Sequence, residues 1–309
     1  KGVENASKLV QRDKVDVLIG TVHSGVQMGI QKVARDTGVL NIIPNAGVLA
    51  ATGPLCAPNV FRTSFSNSQP TLALGAPMVA RGHKKAVWIT WKYAAGDEAF
   101  QGFRDSFLKA GGTIVKEIAL PFPNVEFQAH LTEIASLNPD AVACFFAGGG
   151  AVKFIKDYAA AGLKGKIPLY GSGFLTEGVL DAAGPAADGV ITTMHYADGL
   201  DNPRNKAFRL AYAKTFKLQP DVYAVQGYDA GQLLVLGANA VKGDFSNKKA
   251  LYAAMGGATI DSPRGKWKMS PSHNPIQDIY LRQVTGGENK VIGVAAKQLA
   301  DPGTGCKMG

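Results

Sequence analysis

The chain has 309 residues, of which 46% are hydrophobic and 18% are charged, and its formal net charge is +9. This length exceeds the usual size of one domain and predicts two domains, and no apolar run is long enough to span a membrane. Lysine and arginine are scattered, with no arginine-rich block, zinc-ligand spacing or aromatic RNA-binding signature. The charge therefore indicates a solvated basic surface and argues against nucleic-acid binding.

Two segments far apart in the chain share one pattern. Residues 14–20 (KVDVLIG) lead into the turn TVHSG, and residues 138–146 (NPDAVACFF) lead into AGGG, with a helical pattern after each turn. A short apolar run that leads to a helix N-terminus is typical of a buried parallel strand. Ligands bind at the carboxyl ends of such strands in open α/β sheets. The repetition predicts two α/β lobes with two strand-end rims facing one cleft.

The other predicted elements alternate up to residue 194. A helix is predicted over 3–12, strands at 40–44, 60–64, 85–91, 113–119, 168–171 and 189–194, and helices over 70–81, 98–110 and 126–137. This alternation is typical of doubly wound parallel sheets with right-handed crossovers. Three helices follow at 202–216, 222–241 and 248–255, and strand-like alternation covers 267–294 with a hairpin turn at 286–289.

The chain is predicted to cross between the lobes at 64–68, 195–200 and 275–278. The prediction assigns 1–65 and 198–276 to lobe one, and 66–197 and 277–309 to lobe two. A hinge of several strands suits closure on a ligand. Because an α/β lobe normally begins with a strand, the first βαβ unit of lobe one is expected to be incomplete in a processed or trimmed chain.

The cysteines, histidines and turns predict a binding protein. Cys56 and Cys306 lie in loops rich in Pro and Gly, outside any CxxC or His cluster, which favours a disulfide in an oxidising compartment over a metal site. Cys144 lies in a buried strand pattern and is predicted to be a packed free thiol. The histidines lack HExxH spacing, Ser172 is not in GxSxG, and the turn at 147–150 lacks the GxGxxG order. No metal, cofactor or catalytic residue is therefore predicted.

Ser24 is the leading candidate for a ligand contact. It is predicted at the N-cap of a helix that begins near Gly25, where a hydroxyl, exposed amides and the helix dipole together suit a carboxylate. The alternative is that Ser24 only caps its own helix. The turn at 45–47 (NAG) offers further backbone donors at the neighbouring strand end.

Five segments carry a resemblance to a known family: VDVLIGTVHSG, NIIPNAG, NVFRTSFSNSQ, WKYAAGDEA and PDVYAVQGYDAGQ. They resemble the periplasmic substrate-binding proteins of branched-chain-amino-acid-type ABC importers (the leucine/isoleucine/valine-binding proteins) over nearly the whole chain. The resemblance implies the type I periplasmic binding fold, a first strand–helix unit that is missing here, and secretion to the periplasm with the signal peptide removed. It also implies a monomer that delivers its ligand to an ABC permease in the inner membrane.

The resemblance also implies the ligand-binding positions. The serine that binds the ligand carboxylate in the family's amino-acid binders matches Ser24. The next strand-end turn, which in the family adds a backbone contact and a threonine hydroxyl, matches Asn45 and Gly47, so the hydroxyl is missing here. The glutamate that pairs with the ligand ammonium falls on Gly173, a tyrosine falls near Gly149, and an aromatic wall residue matches Tyr223. The predicted ligand-binding residues are Val22, His23, Ser24, Asn45, Ala46, Gly47, Tyr93, Gly149, Gly173, Phe174 and Tyr223.

The two glycines favour a ligand without an ammonium group. A buried ammonium that lacks a carboxylate partner costs several kcal/mol, so glycine at both positions predicts a pocket that is less charged and roomier. Trp91, Tyr93, Phe174 and Tyr223 could supply aromatic walls, although each alone also fits core or hinge packing. The sequence therefore predicts a binding protein that captures a small carboxylate by lobe closure. The two glycines and the aromatic residues favour an aromatic acid as that ligand.

Three alternatives stay open. The first is a branched-chain or other amino-acid binder of the same family, whose ammonium is held by carbonyls or by Asp221. The second is a cytoplasmic ligand sensor with the same fold, and the third is an enzyme.

Overall fold

The computed structural model describes residues 1–308, which form two compact units. Unit 1 comprises Lys1–Ser66, Asp201–Gln277 and the segment from Gln298 onward, and unit 2 comprises Asn67–Leu200 and Asp278–Lys297. Three of these boundaries fall at the predicted crossings. The fourth, after Lys297, differs from the prediction, which assigned all of 277–309 to the second lobe. The C-terminal segment groups with unit 1, where a disulfide joins it to Cys56.

The elements alternate much as the sequence predicts. The helices are α1 Gly2–Ser7, α2 Ser24–Thr37, α3 Gln69–Leu72, α4 Gly75–Ala80, α5 Ala94–Lys109, α6 Gln128–Leu137, α7 Gly148–Ala160, α8 Leu180–Ala183, α9 Pro203–Phe216, α10 Val222–Ala240 and α11 Lys248–Gly256. The strands are β1 Val17–Ile19, β2 Leu40–Ile43, β3 Val60–Arg62, β4 Lys85–Lys92, β5 Thr113–Pro121, β6 Ala141–Phe145, β7 Leu169–Ser172, β8 Ile191–Met194, β9 Thr259–Ile260, β10 Trp267–Met269, β11 Pro275–Thr285 and β12 Glu288–Leu299. None of the helices within residues 1–308 is both long and apolar enough to cross a bilayer.

Unit 1 is built on a parallel sheet in the order β1-β2-β3. Its core includes Ile42 and Phe61 of the sheet, Leu233 of α10 and Trp267 of β10, all of which are almost fully buried. β10 pairs antiparallel with β9 and with the first residues of β11. The carboxyl ends of β1 and β2 therefore lie side by side, which positions the turns that follow them.

Unit 2 contains parallel strands in the order β5-β4-β6-β7-β8, followed by the antiparallel strand β11, which also pairs with β12. The register aligns Ile89 of β4 with Cys144 of β6, and Cys144 with Gly171 of β7. Cys144 is free and fully buried, as predicted, and its burial raises the pKa of its thiol. The predicted hairpin turn joins β11 to β12, and Gly286 and Gly287 both have positive φ, as a tight hairpin turn requires.

Three predicted helices differ clearly from the structure. The single helix predicted over 70–81 is two short helices, α3 and α4. Pro77 accounts for the break, because it has no amide hydrogen to donate to the carbonyl of Ala73 and its ring crowds that carbonyl. The helix predicted to begin at Glu98 begins at Ala94, because the small residues that follow Tyr93 form its first turn. The helix predicted over 3–12 is α1 followed by a π-helical segment, Lys8–Arg12.

Cys56 and Cys306 are joined by a disulfide, which confirms the predicted pairing. Their Cα atoms are 5.5 Å apart and their sequence separation is 250. The bond ties the C-terminal tail to the loop that precedes β3. A cross-link that closes so long a segment restricts the unfolded chain and thereby stabilises the fold.

We expect the double variant Cys56→Ser/Cys306→Ser to lose about 2–4 kcal/mol of unfolding free energy, the typical contribution of a native disulfide. Denaturant unfolding measures this loss, and the reduced wild-type protein, which keeps both thiols without the bond, should show a similar loss. Thiol counting on the unfolded, unreduced protein should find one free thiol. Three free thiols would contradict the bridge.

Candidate functional site

The turn after β1 delivers Ser24 to the start of α2. Ser24 is the first residue of the helix and is only 3% exposed. The helix cap is His23, whose Nδ1 accepts a hydrogen bond from the Gly25 amide at 3.1 Å. This corrects the expectation that the Ser24 hydroxyl is the cap. The imidazole performs that structural role. Val22, which precedes His23 in the same turn, is 64% exposed.

The turn after β2 is held by hydrogen bonds within unit 1. The Ala46 amide donates to the carbonyl of Thr21 at 2.8 Å, which joins this turn to the one after β1. Ser64 Oγ donates to the Asn45 carbonyl at 3.1 Å, and Asn45 Nδ2 donates to Gln226 Oε1 at 2.7 Å. The Ala46 amide was expected to be a ligand donor, and the structure gives it an acceptor in the protein. Gly47, in the same turn, stays a predicted contact.

Tyr223 lies in the first turn of α10, where its side chain is 37% exposed. The hydrogen bond between Gln226 and Asn45 brings this helix to the turn after β2. Asp221, the alternative partner for a ligand ammonium, is the N-cap of the helix, and its Oδ1 accepts from the Ala224 amide at 2.9 Å. That carboxylate therefore has a structural role.

Unit 2 places aromatic residues at the carboxyl ends of its parallel strands. Tyr93 follows β4, Phe145 ends β6 and Phe174 follows β7. The ring centroids of Tyr93 and Phe145 are 6.2 Å apart, and those of Phe145 and Phe174 are 6.5 Å apart. Burial raises the pKa of Tyr93 to about 12, so its phenol is protonated at neutral pH. Phe145 links the two predicted residues and was not itself predicted.

Gly149 lies in the first turn of α7, and a Cβ built there meets nothing within 4 Å. Open space at this position agrees with the prediction. At the neighbouring Gly150 a Cβ would come within 2.3 Å of the Trp91 ring. Trp91 is 5% exposed, and its Nε1 donates to the Asn124 carbonyl at 2.7 Å. Trp91 is therefore a core residue, and the alternative of core packing holds for it.

Gly173 differs from the prediction, which expected open space. A Cβ at this position would lie 2.6 Å from Met194 Cβ and 2.7 Å from Arg282 Nη2. Contacts below about 3 Å require the neighbours to move. The space where a side chain would begin is already filled, so an acidic residue cannot stand at this position in the present packing.

Arg282 is fully buried beside Gly173 and forms an ion pair with Glu177. Its guanidinium also donates to the Tyr196 carbonyl at 2.9 Å and to the Gly173 carbonyl at 3.2 Å. A buried charge is tolerated when a partner of opposite charge and hydrogen bonds both satisfy it. Sequence reasoning missed this pair. Arg282 is 109 residues from Gly173, and nothing in the local pattern of β11 links the two.

No group of three or more His, Cys, Asp or Glu side chains in the part of the chain that the structure describes is arranged to hold a metal ion. Within unit 1 the strand ends carry the Ser24 hydroxyl and the N-terminus of α2, a combination that suits an anion. Within unit 2 they carry a protonated phenol, aromatic rings and an open glycine, which suit an apolar ring.

The sequence matches the Periplasmic binding protein family over residues 1–289. It is 31% identical to the Leu/Ile/Val-binding protein homolog 6 of Brucella melitensis, over 96% of this chain and 78% of that protein. It is similar to the solved solute-binding protein of an ABC transporter from R. palustris in complex with benzoate, with 55% identity, a TM-score of 0.95 and coverage of 99% and 85% of the two chains.

A further similar structure is the solute-binding protein of an ABC transporter from Rhodopseudomonas palustris BisB5 in complex with 3,4-dihydroxy benzoic acid. The identity is 31% and the TM-score is 0.90, over 98% of this chain and 84% of that one. These matches confirm the type I periplasmic binding fold and the resemblance to the branched-chain-amino-acid type. The chain belongs to the Periplasmic binding protein family.

Proposed function

We propose that the chain is the solute-binding component of an ABC importer and that it captures an aromatic carboxylate of the benzoate type. The filled space beside Gly173 is the observation that supports a ligand without an ammonium group. Met194 and Arg282 leave no room there for the carboxylate that would pair with an ammonium. The relative that is 55% identical binds benzoate, and the relative that is 31% identical binds 3,4-dihydroxy benzoic acid, which supports the same ligand class.

In this proposal the start of α2 holds the ligand carboxylate. The first amides of a helix lack acceptors within the helix, and the helix dipole favours a negative charge beside them. Ser24 adds a hydroxyl in the first turn, and His23 satisfies one amide, that of Gly25. Hydroxyl and amide donors of this kind suit a carboxylate, which offers two acceptor oxygens.

Unit 2 supplies surface of the kind against which an aromatic ring packs. Phe174 and Tyr93 present aromatic surface at the strand ends, and rings pack favourably edge to face or offset. Gly149 leaves the space that a bulky side chain would fill. Because the Tyr93 phenol is protonated at neutral pH, it adds no negative charge that would repel the ligand.

We further propose that the protein works in the periplasm after removal of a signal peptide, that it is a monomer, and that it passes its ligand to a permease in the inner membrane. The family indicates an extracytoplasmic location. The disulfide between Cys56 and Cys306 suits an oxidising compartment, because such bonds are rare in the reducing cytosol. Binding and release require no chemical step.

The second candidate function is binding of a branched-chain amino acid. It is raised by the names of the relatives called Leu/Ile/Val-binding protein homologs, whereas the relatives in complex with benzoate and 3,4-dihydroxy benzoic acid support the first function. It would require another partner for the ammonium, and Asp221 already caps α10. Binding experiments that compare ligands with and without an α-ammonium distinguish the two functions.

Ser24→Ala should weaken benzoate binding by about 1–3 kcal/mol, the range for losing a hydrogen bond to a charged group. Isothermal titration calorimetry measures the affinity. The control is Ser136→Ala, which removes the same hydroxyl from an exposed position in α6. Equal affinity in the two variants would contradict the role of Ser24.

Ligands that lack an α-ammonium should raise the thermal unfolding midpoint, because binding to the folded state shifts the equilibrium towards it. The sharpest comparison is 3-phenylpropionate against phenylalanine, which differ only in the ammonium group. We expect benzoate and 3-phenylpropionate to stabilise the protein more than phenylalanine or leucine. Strong stabilisation by leucine with inert aromatic acids would favour the amino-acid binder.

Gly173→Ala should lower the free energy of unfolding by about 1–3 kcal/mol, because its Cβ overpacks the space that Met194 and Arg282 fill. Gly149→Ala is the matched control, and the open space there predicts little loss of stability. Denaturant unfolding compares the two variants. Equal stability would show that the space beside Gly173 is not filled, and the ligand class would then lose its main support.

A further inference from the structure

A cavity of about 340 Å³ lies within unit 2, at the end of the sheet where β7 and β8 begin. Gly173 and Phe174 follow the opposite end of β7, so this cavity is separate from the residues discussed above. Cavities that bind small molecules have volumes from about 300 Å³ upward. Its lining is mainly apolar and includes Ile167, Leu169 and Ile191. The cavity is therefore large enough for a small organic molecule.

Two basic segments of the sequence meet at this cavity. Arg81 and His83 come from the run RGHKK, and Lys164 and Lys166 come from LKGK. Asp188 is the one acidic residue among those that line it. Three permanent cations thus face one carboxylate, and their mutual repulsion is relieved when an anion enters.

The three cationic side chains differ in whether a group of the protein already accepts a hydrogen bond from them. Lys164 Nζ donates to the carbonyl of Pro185, which fixes its position. Arg81 and Lys166 are exposed, and neither forms a salt bridge within residues 1–308. A guanidinium presents several donors in one plane, which suits two oxygens of one anion. Arg81 and Lys166 are therefore the groups that can receive the negative charge.

The wall of the cavity contains two polar rings in contact, one fully buried and the other half-buried. Tyr170 is fully buried, and its hydroxyl lies 2.9 Å from His83 Nδ1. Burial raises the pKa of Tyr170 while the nearby charge of Arg81 opposes that shift, so the guanidinium acts on this end of the cavity. The contact fixes the His83 ring against the wall and makes His83 a reporter of what the cavity holds.

We propose that this cavity is a second ligand site, which takes a small organic monoanion with an apolar body. The negative group interacts with Arg81 and Lys166, and the apolar body lies against Ile167, Leu169 and Ile191. The site lies wholly within unit 2. It does not depend on the function proposed above, so either proposal can fail without the other.

The test follows the imidazole signals of His83 by NMR in protein with 15N-labelled histidine, with His83→Gln used for assignment. Benzoate is the probe, and benzyl alcohol is the neutral molecule of similar size. The double variant Arg81→Gln/Lys166→Gln removes the proposed anion contacts. The matched control is Lys84→Gln/Lys85→Gln, which makes the same change of charge at exposed residues of the same basic run that do not line the cavity.

We expect a saturable benzoate shift of His83 in the wild type and in the control, and an affinity at least about ten-fold weaker in Arg81→Gln/Lys166→Gln, the loss expected for hydrogen bonds to a charged group. Benzyl alcohol should give no saturable shift. The absence of a saturable benzoate shift, equal affinity in the two variants, or equal binding of benzyl alcohol would overturn the proposal. A shift transmitted from the strand-end site would persist in both variants and would count against it.

A second measurement locates the anion directly. Crystals soaked in 4-bromobenzoate should show bromine anomalous scattering within the cavity, and the signal should vanish in Arg81→Gln/Lys166→Gln. Bromine found only near Ser24 and Phe174 would contradict the second site. All four substituted residues are exposed, so both variants are expected to keep the thermal midpoint of the wild type.

Discussion

The buried ion pair between Arg282 and Glu177 is the interaction on which the candidate site in unit 2 depends. The guanidinium is fully buried, and it donates to the carbonyls of Gly173 and Tyr196 as well as to the carboxylate. Removing one partner of such a pair leaves an uncompensated charge and costs about 3–5 kcal/mol. The segment that carries Phe174 is held in place because this charge must keep its acceptors.

Unit 1 uses the same kind of interaction at its own strand ends. Arg264 and Asp229 are both buried, with Arg264 Nε 3.3 Å from the carboxylate. Trp267 Nε1 and Ser262 Oγ also donate to Asp229, at 3.0 and 2.9 Å. Arg264 donates to the carbonyl of Thr63, which directly follows β3. In each unit a buried arginine fixes the backbone where a parallel strand ends. Rigid strand ends hold the residues that follow them in a defined position, which ligand binding requires.

The sequence predicts the features that depend on local pattern. The repeated pattern of strand, small-residue turn and helix is found as β1 with α2 and as β6 with α7. The two loop cysteines are bonded, and the paired glycines of the hairpin adopt the positive φ that the turn needs. In each case the information lies within a few residues, or in a residue type with few possible roles.

Features that depend on distant residues could not be predicted in this way. Glycine at position 173 was interpreted as open space, but Arg282 and Met194 occupy that space from other strands. Ser24 was expected to cap its helix, but the preceding imidazole does so. Trp91 could have lined a binding site, but its indole is held by Asn124 in the core. A sequence pattern does not show which distant residue packs against a given position.

The filled space changes the physical account of ligand choice. The pattern alone suggested that glycine gives the ligand more room. In the structure, glycine is required because a buried guanidinium stands where a side chain would begin. Placing a carboxylate there would require the Arg282 network to be rebuilt, which is the physical basis of the proposed preference against an α-ammonium. In that proposal the room for an aromatic ring comes from Gly149.

The most direct test of this account is to identify the ligand that the protein retains when it is purified from its native host without added ligand. Mass spectrometry of the denatured protein's supernatant identifies the released compound, and protein unfolded and washed before refolding serves as the blank. The account predicts an aromatic carboxylic acid without an amino group. Recovery of leucine, isoleucine or valine in stoichiometric amount would contradict it.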